Sequence, residues 1–442
     1  MTQFVSTRDS THTVSFGSAL QQGLAPDGGL YVPRDWPRAA LQTLFSAGAG
    51  GRTLPELASA VIQPFAAGEP LADELGAICA EAFNFPAPLV PLLPDARLSV
   101  LELFHGPTAA FKDFGARFLA ASFARLRRTK STSTPLKILV ATSGDTGGAV
   151  AAAFHRRPGM EVVVLYPQGL VSPMQEQQLT CWDQNVLSCA VRGTFDDCQR
   201  LVKEAFLDPQ LRDRFELSSA NSINLGRLLP QAVYYVASSL QVQAASGGPA
   251  SYIIPSGNLG NATACLWAHA LGAPIDRIVL AHNANRTVPD FLEQGVLRPR
   301  PSIATLASAM DVGNPSNLER LSALFPDPAA LRGAVSAVSV DDNAIRQRIR
   351  DDYLRTDYLR TRNIWCPHTA VAAEAHALLS DAERAAHRWV LVATAHPAKF
   401  GEIVEPLIGA SVPMPDQLAQ LFQRATHKRP IEPTLASLKE AM

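Results

Sequence analysis

From residue 130 onward the chain repeats one pattern: a short apolar run, a small or polar turn, then a segment with helical spacing. "LKILVATSGDTGGAVAAAF" shows it first, and "MEVVVLYPQG", "ASYIIPSGNLGNATACLWAHAL", "DRIVLAHNANR" and "HRWVLVATAHPAKFGEIV" follow. Continuous Val/Ile/Leu strands alternating with helices predict an α/β fold, with parallel sheets covered by helices on both faces. Ligands in such folds sit beyond the carboxyl ends of the strands. The polar motifs of these segments lie where each strand ends, so that edge is where an active site is expected.

The first 95 residues read differently. "DGGLYVPRDWP" is turn-rich, and helical patterns around Leu54–Ala67 and Asp73–Phe85 predict a separate, mainly helical N-terminal domain. The proline-rich "FNFPAPLVPLLPD" reads as a connector and "QAASGGPAS" (243–251) as a flexible joint. The expected division is residues 1–95, a catalytic region over 96–415 with a smaller α/β subdomain at roughly 130–200, and a helical tail over 416–442.

At 442 residues the chain is too long for a single core. Its 39 Lys and Arg balance 40 Asp and Glu, for a net charge of −1, so nothing electrostatic favours nucleic acid or an anionic membrane as partner. Six scattered cysteines form no CxxC pair, so neither a zinc site nor a disulfide framework is expected, and no metal. The N-terminus lacks the apolar stretch of a signal peptide, and no run approaches the ~18 residues of a membrane span. A cytoplasmic protein, monomer or homodimer, is the expectation.

Four stretches could carry chemistry. In "HGPTAAFKDFG" (105–115), Lys112 sits between Phe111 and Asp113 among Gly, Pro and Ala, a setting for a lysine that forms a covalent imine away from bulk water. "PSGNLGNATA" joins a strand to a helix. There Gly257 and Gly260 let the backbone turn tightly and aim several N–H groups, with the N-terminus of a helix starting near Asn261, at one phosphate-sized point. A plain strand-to-helix turn is the competing reading. No GxxxxGK[ST] or GxGxxG is present, so neither a nucleotide triphosphatase nor a dinucleotide fold is favoured.

In "ATSGDTGGAV", the hydroxyls of Thr142, Ser143 and Thr146 could hold a substrate carboxylate, unless Ser143 or Asp145 simply caps the helix that follows. "NSINLGRLLPQ" gathers Ser222, Asn224 and Arg227, with Arg227 as a fork for a second phosphate or, equally, a solvated surface charge. In "ATAHPAKF", Thr394 or His396 could reach a bound ring, and His396 is the more ordinary structural histidine. An imine lysine, a phosphate cradle and a carboxylate anchor together suggest pyridoxal phosphate acting on an amino acid.

These residues resemble the threonine synthase family, within the fold-type-II (tryptophan synthase β-like) pyridoxal-phosphate enzymes, in its longer form with an N-terminal domain. The resemblance rests on "STRD", "GLAPDGGLYVP", "FHGPTAAFKDFGARF", "ATSGDTGGAVAAAF", "GTFDDCQRLVKEAF", "NSINLGRLLPQ", "PSGNLGNATA", "AMDVGNPSNLERL", "CPHTAVA" and "ATAHPAKF" in that order, thinning after about residue 410. It implies that Lys112 bonds the cofactor, that Gly257, Asn258, Leu259, Gly260 and Asn261 hold its phosphate, and that Thr394 lies beside its pyridine nitrogen. It implies that O-phospho-L-homoserine loses its γ-phosphate and adds water at Cβ to give L-threonine, with Thr142, Ser143, Asp145, Thr146, Ser222, Asn224 and Arg227 as the candidate substrate-binding set. Leu259 stands where many relatives have Phe, which backbone contacts would tolerate. Asp145 stands where much of the wider group has Asn, which sets aside a donor role toward the ring hydroxyl. The alternatives are a serine or threonine dehydratase of the same fold, and a non-catalytic relative.

Overall fold

The computed structural model describes residues 2–48, 50–92, 97–128, 134–355 and 363–442. At the N-terminus, β1 (Phe4–Ser6) lies between β2 (Thr13–Val14) and β3 (Tyr31–Pro33) in a small antiparallel sheet. The two expected helices run over Leu54–Ala66 and Pro70–Ala82. The first begins at a capping box between Thr53 and Glu56, which satisfies N–H groups that the helix itself leaves free. Leu57, Val61, Ile62 and Phe65 recur at helical spacing and are buried against the rest of the chain.

The larger parallel sheet has the order β12-β11-β10-β13-β5-β4. Its members are β5 (Leu98–Glu102), β10 (Ala250–Pro255), β11 (Ile275–His282), β12 (Ser336–Ser339) and β13 (Trp389–Ala393), with β4 (Leu89–Pro91) as an antiparallel edge. The connector expected around residues 83–95 therefore contains a strand, and the boundary expected at 95/96 lies outside the described residues. The joint expected over 243–251 is shorter than its composition suggested. The helix Ala232–Ser246 runs on until Gly247 ends it in a left-handed turn (φ 72°), and β10 starts at Ala250.

The smaller sheet, β14-β8-β7-β6-β9, is wholly parallel. It comprises β6 (Leu136–Ala141), β7 (Met160–Pro167), β8 (Val186–Val191), β9 (Glu216–Ser219) and β14 (Arg429–Ile431). Ile138, Val140, Val162 and Val164 face the main core, and Leu139, Ala141, Val163 and Leu165 face a second apolar cluster on the other side. Burial on both faces explains why these runs show no polar alternation. The stretch expected as a helical tail holds helices Asp416–Phe422 and Leu435–Ala441, but also β14, which extends this sheet. Two of the three β14 residues are exposed, which leaves too little apolar pattern to read a strand from sequence. Among the described residues, no helix is long and apolar enough to cross a membrane.

Candidate active site

A cavity of about 590 Å³ opens where the turns following β6, β9, β10 and β13 meet, at the carboxyl ends of both parallel sheets. Lys112 lines it from the first turn of the helix Lys112–Arg128. The loop before it is tied down at several points. Thr108 donates its N–H and hydroxyl to the buried Asp113 carboxylate (2.9 and 2.7 Å), and Phe111 donates its N–H to the Thr394 carbonyl (2.9 Å). Gly115 is required by close approach, because a Cβ there would stand 2.2 Å from the Arg227 carbonyl oxygen. Lys112 keeps some surface toward the cavity but is otherwise walled in by protein. Burial pulls its pKa down to about 8; Asp145 opposes this, while Lys399 and Arg227 act with burial.

The loop after β10 has the form of an anion cradle. Leu259 takes a left-handed conformation (φ 61°) unusual for a residue with a side chain, and from it starts the helix Gly260–Leu271. The first N–H groups of that helix have no partner within it. Groups from elsewhere in the chain lock the loop: Asn258 Nδ2 donates to Ser222 Oγ (2.7 Å), the backbone N–H of Ser316 donates to Asn258 Oδ1 (2.6 Å), and Asn317 Nδ2 donates to the Asn258 carbonyl (3.0 Å). A Cβ at Gly257 would sit 2.7 Å from the Met310 Cα, so backbone passes backbone there with no room to spare. Asn261 Oδ1 accepts from Tyr234 and Tyr235 (2.5 and 2.9 Å), and its buried Nδ2 has no partner among the described residues.

The turn after β6 is built otherwise. Neither Ser143 nor Asp145 caps the helix Asp145–Phe154: the cap position is Gly144, at φ 145°. The Thr142 hydroxyl instead accepts the N–H groups of Gly144 (3.0 Å) and Gly147 (2.9 Å) and so holds the turn. Asp145 pairs with Lys399 at 2.7 Å, with the two side chains 4 % and 0 % exposed. Burial alone would raise the pKa of its carboxyl, but the charges of Lys399 and Lys112 outweigh that and hold it well below the ordinary carboxylate range. Lys399 also donates to the Thr108 carbonyl (2.9 Å), which links the ion pair to the loop that carries Lys112.

The third cluster divides. Ser222 and Arg227 line the cavity, but Asn224 does not. Asn224 is spent on local structure, donating to the Leu20 and Ser219 carbonyls (2.9 and 3.1 Å) and accepting the Gly226 N–H (2.9 Å) as cap of a short helix. Arg227 is no surface charge. It is buried, donates to the Ala220 carbonyl, and keeps a buried Nε that has no partner among the described residues. Burial lowers its pKa to about 10, which leaves it cationic. Of the remaining expected residues, Thr142, Ser143, Asp145, Thr146, Gly257, Asn258, Leu259, Gly260, Asn261 and Thr394 all line the same cavity. His396 lies outside its lining and caps a turn by accepting the Ala398 N–H (3.2 Å).

Sequence reasoning missed Lys399, although it stands in the same short motif as Thr394, and it missed His368, quoted within "CPHTAVA" but given no role. It also missed the wall made by the helix Phe195–Leu207 and the segment Arg300–Asn314. A cradle shaped by glycines, together with buried, unpartnered donors on Arg227 and Asn261, fits a phosphorylated cofactor and an anionic substrate. Among the described residues, no group of His, Cys, Asp or Glu could hold a metal ion.

Comparison with known proteins agrees with this geometry. Residues 83–395 match the family model for pyridoxal-phosphate dependent enzymes, residues 3–83 the model for the threonine synthase N terminus, and residues 369–442 the model for the threonine synthase C-terminal region. A threonine synthase of Serratia marcescens is 39% identical over 412 residues, covering 93% of this chain and 92% of that protein. The crystal structure of threonine synthase from Escherichia coli superposes with a TM-score of 0.89 at 36% identity, over 99% of this chain and 98% of the other. That of pyridoxal-phosphate-bound threonine synthase from Brucella melitensis superposes with a TM-score of 0.87 at 34% identity, over 100% and 98%. With these models together spanning residues 3–442 and a relative 39% identical over 93% of the chain, the chain belongs to the threonine synthase family of pyridoxal-phosphate dependent enzymes.

Proposed function

We propose that the cavity converts O-phospho-L-homoserine and water to L-threonine and phosphate. One observation carries the reading. Besides a loop suited to the cofactor's phosphate, the same cavity is lined by the buried cation Arg227, whose Nε has no partner among the described residues, and by Ser222, a pair suited to a second anion. A dehydratase acting on serine or threonine would need the first site and not the second.

Lys112 would hold the cofactor covalently, the N–H groups from Gly257 to Asn261 its phosphate, and Thr394 its ring nitrogen. Pyridoxal phosphate, when bound, supplies an electron sink for negative charge on the substrate carbons. The residues of the chain do the rest. Once the substrate's amine has displaced Lys112 from the cofactor, the lysine amine, made less basic by burial, would be placed to take the substrate's Cα proton. Loss of a proton at Cβ drives off the γ-phosphate, a proton returns at Cγ, the oxygen of water adds at Cβ, and Cα regains the proton it lost. Arg227 and Ser222 hold the departing phosphate through charge-assisted and neutral hydrogen bonds.

Ser143 and Thr146 offer the substrate carboxylate a wall on which the charge of Asp145 is already matched by Lys399, while the Thr142 hydroxyl, which accepts two N–H groups and donates to the Gly144 carbonyl, shapes that wall and has no hydrogen left for the substrate. Asn224 supports this site from outside, by shaping the turn that carries Ser222 and Arg227. Six buried free thiols suit a cytoplasmic enzyme, taken in this reading as a monomer or homodimer. The test supplies O-phospho-L-homoserine and L-serine separately to the cofactor-loaded protein. Equal amounts of threonine and phosphate from the first, with little 2-oxo acid from the second, are expected. The reverse pattern would make it a dehydratase.

A further inference from the structure

His368 lies in the first turn of the helix Pro367–Ala377 and lines the cavity. It is 3 % exposed, packs on the ring of Phe400 (centroids 4.9 Å apart), and its Nε2 accepts the Ala309 N–H at 3.1 Å. A ring nitrogen that accepts carries no proton, so the neutral imidazole holds its hydrogen on Nδ1. Burial lowers its pKa to about 4 against the pull of Asp145, with Lys112 and Lys399 acting alongside burial, so the ring is neutral at physiological pH. Nδ1 is buried and has no partner among the described residues. A buried donor left unpaired is unfavourable, and such a donor at the wall of a binding cavity calls for an acceptor.

The neighbouring groups narrow what that acceptor is. Asp145 is ionised, so it only accepts, and Lys399 already serves both Asp145 and the Thr108 carbonyl. An anionic oxygen brought to this wall therefore needs a neutral donor, and His368 offers one with its tautomer fixed. We infer that His368 donates its Nδ1–H to an anionic oxygen of the bound ligand, either the ring hydroxyl oxygen of the cofactor or the carboxylate of the substrate. The inference rests on the proposed reading of the cavity as a pyridoxal-phosphate site acting on an amino acid.

Two substitutions separate the donor from the structural contact. His368→Gln can keep an acceptor for the Ala309 N–H while removing the donor at the Nδ1 position. His368→Asn can keep a donor near that position while giving up the Ala309 contact. Cofactor affinity of the apo protein and the visible absorption band after loading report on the ring oxygen; KM at full cofactor occupancy reports on the carboxylate. His368→Gln should weaken one of the two by about tenfold or more, and His368→Asn should restore most of it.

If cofactor affinity and spectrum change, the ring oxygen is the acceptor; if only KM changes, it is the carboxylate. Gln behaving like the native protein in both, or Asn failing as badly as Gln, overturns the inference. Should either variant fold poorly, the native protein labelled with ¹⁵N-histidine gives the same answer. The Nδ1–H resonance of His368 should shift on adding pyridoxal phosphate or then substrate, and an unmoved resonance overturns the inference. Native protein that binds cofactor but makes no threonine would sink the proposed reaction while leaving the His368 contact to the cofactor measurable.

Discussion

Two strand–turn–helix units build the cavity, Pro255–Asn261 after β10 of the larger sheet and Ala141–Thr146 after β6 of the smaller. Both turn sharply at a positive φ, at Leu259 (61°) in one and Gly144 (145°) in the other. Their chemistry is opposite. The first starts a helix whose leading N–H groups have no partner within it, and the Ser222 and Asn317 side chains and the Ser316 backbone N–H hold it from behind. The second spends two N–H groups on its own Thr142 hydroxyl and brings a carboxylate inward, matched by Lys399. One local motif thus yields an anion cradle or a charge-balanced wall, and the difference lies in residues far away in sequence.

The sharpest way to break this contrast is to unbalance the second wall. Lys399→Met leaves Asp145 buried without its partner, a change worth about 3–5 kcal/mol of stability. The folded pKa of Asp145 lies below its ordinary 3.8, so the contribution of the pair is present above that pH and is lost as pH falls through the folded value. In Lys399→Met much of that depression is gone, so acid unfolding should begin at higher pH. Adding Asp145→Asn should recover most of the lost stability in denaturant melts; a double variant no better than the single one would mean that charge is not what Lys399 supplies.

Arg227→Ala tests the group that distinguishes this cavity from a dehydratase. Loss of charge-assisted hydrogen bonds worth about 1.5–3 kcal/mol should raise KM for O-phospho-L-homoserine roughly ten- to hundredfold, with cofactor content unchanged. Unaltered kinetics would reduce Arg227 to a structural buried cation. Gly257→Ala tests the first wall. Its Cβ would meet the Met310 backbone, an overpacking of about 1–3 kcal/mol that should appear as weaker cofactor binding, read by titrating the apo protein. Thr394→Ala should do least. One neutral hydrogen bond is worth about 0.5–1.5 kcal/mol, so affinity should fall tenfold or less, whereas Thr394→Asp should retain cofactor but make little threonine, because it favours a protonated ring.

The sequence made the first wall legible and the second only in outline. Glycines at 257 and 260 after an apolar strand have a local cause, the tight turn, and Lys112 stands in a local frame of small residues; both are readable without a fold. Asp145 and Arg227 could not be read that way. Whether Asp145 caps a helix or carries a buried charge depends on Lys399, and whether Arg227 is solvated depends on the helix Lys112–Arg128 pressing Gly115 against it. Asn224 failed in the opposite sense, because a polar residue beside two cavity residues turned out to be consumed by the turn it caps. The strands were plain where both faces are apolar, as in β6 and β7, and hidden where most of the strand is exposed, as in β14.

The central claim is that Lys112 is the lysine that bonds the cofactor, and Lys399 is its natural rival, a second buried lysine close to the same carboxylate. Borohydride reduction of the cofactor-loaded protein, followed by digestion and peptide mapping, decides between them. Lys112 has a lowered pKa and surface toward the cavity, while Lys399 is fully buried and bound to Asp145 and the Thr108 carbonyl. A pyridoxyl group on Lys112 and on no other lysine is the expected result. A label on Lys399, or on any lysine outside the cavity, would contradict it.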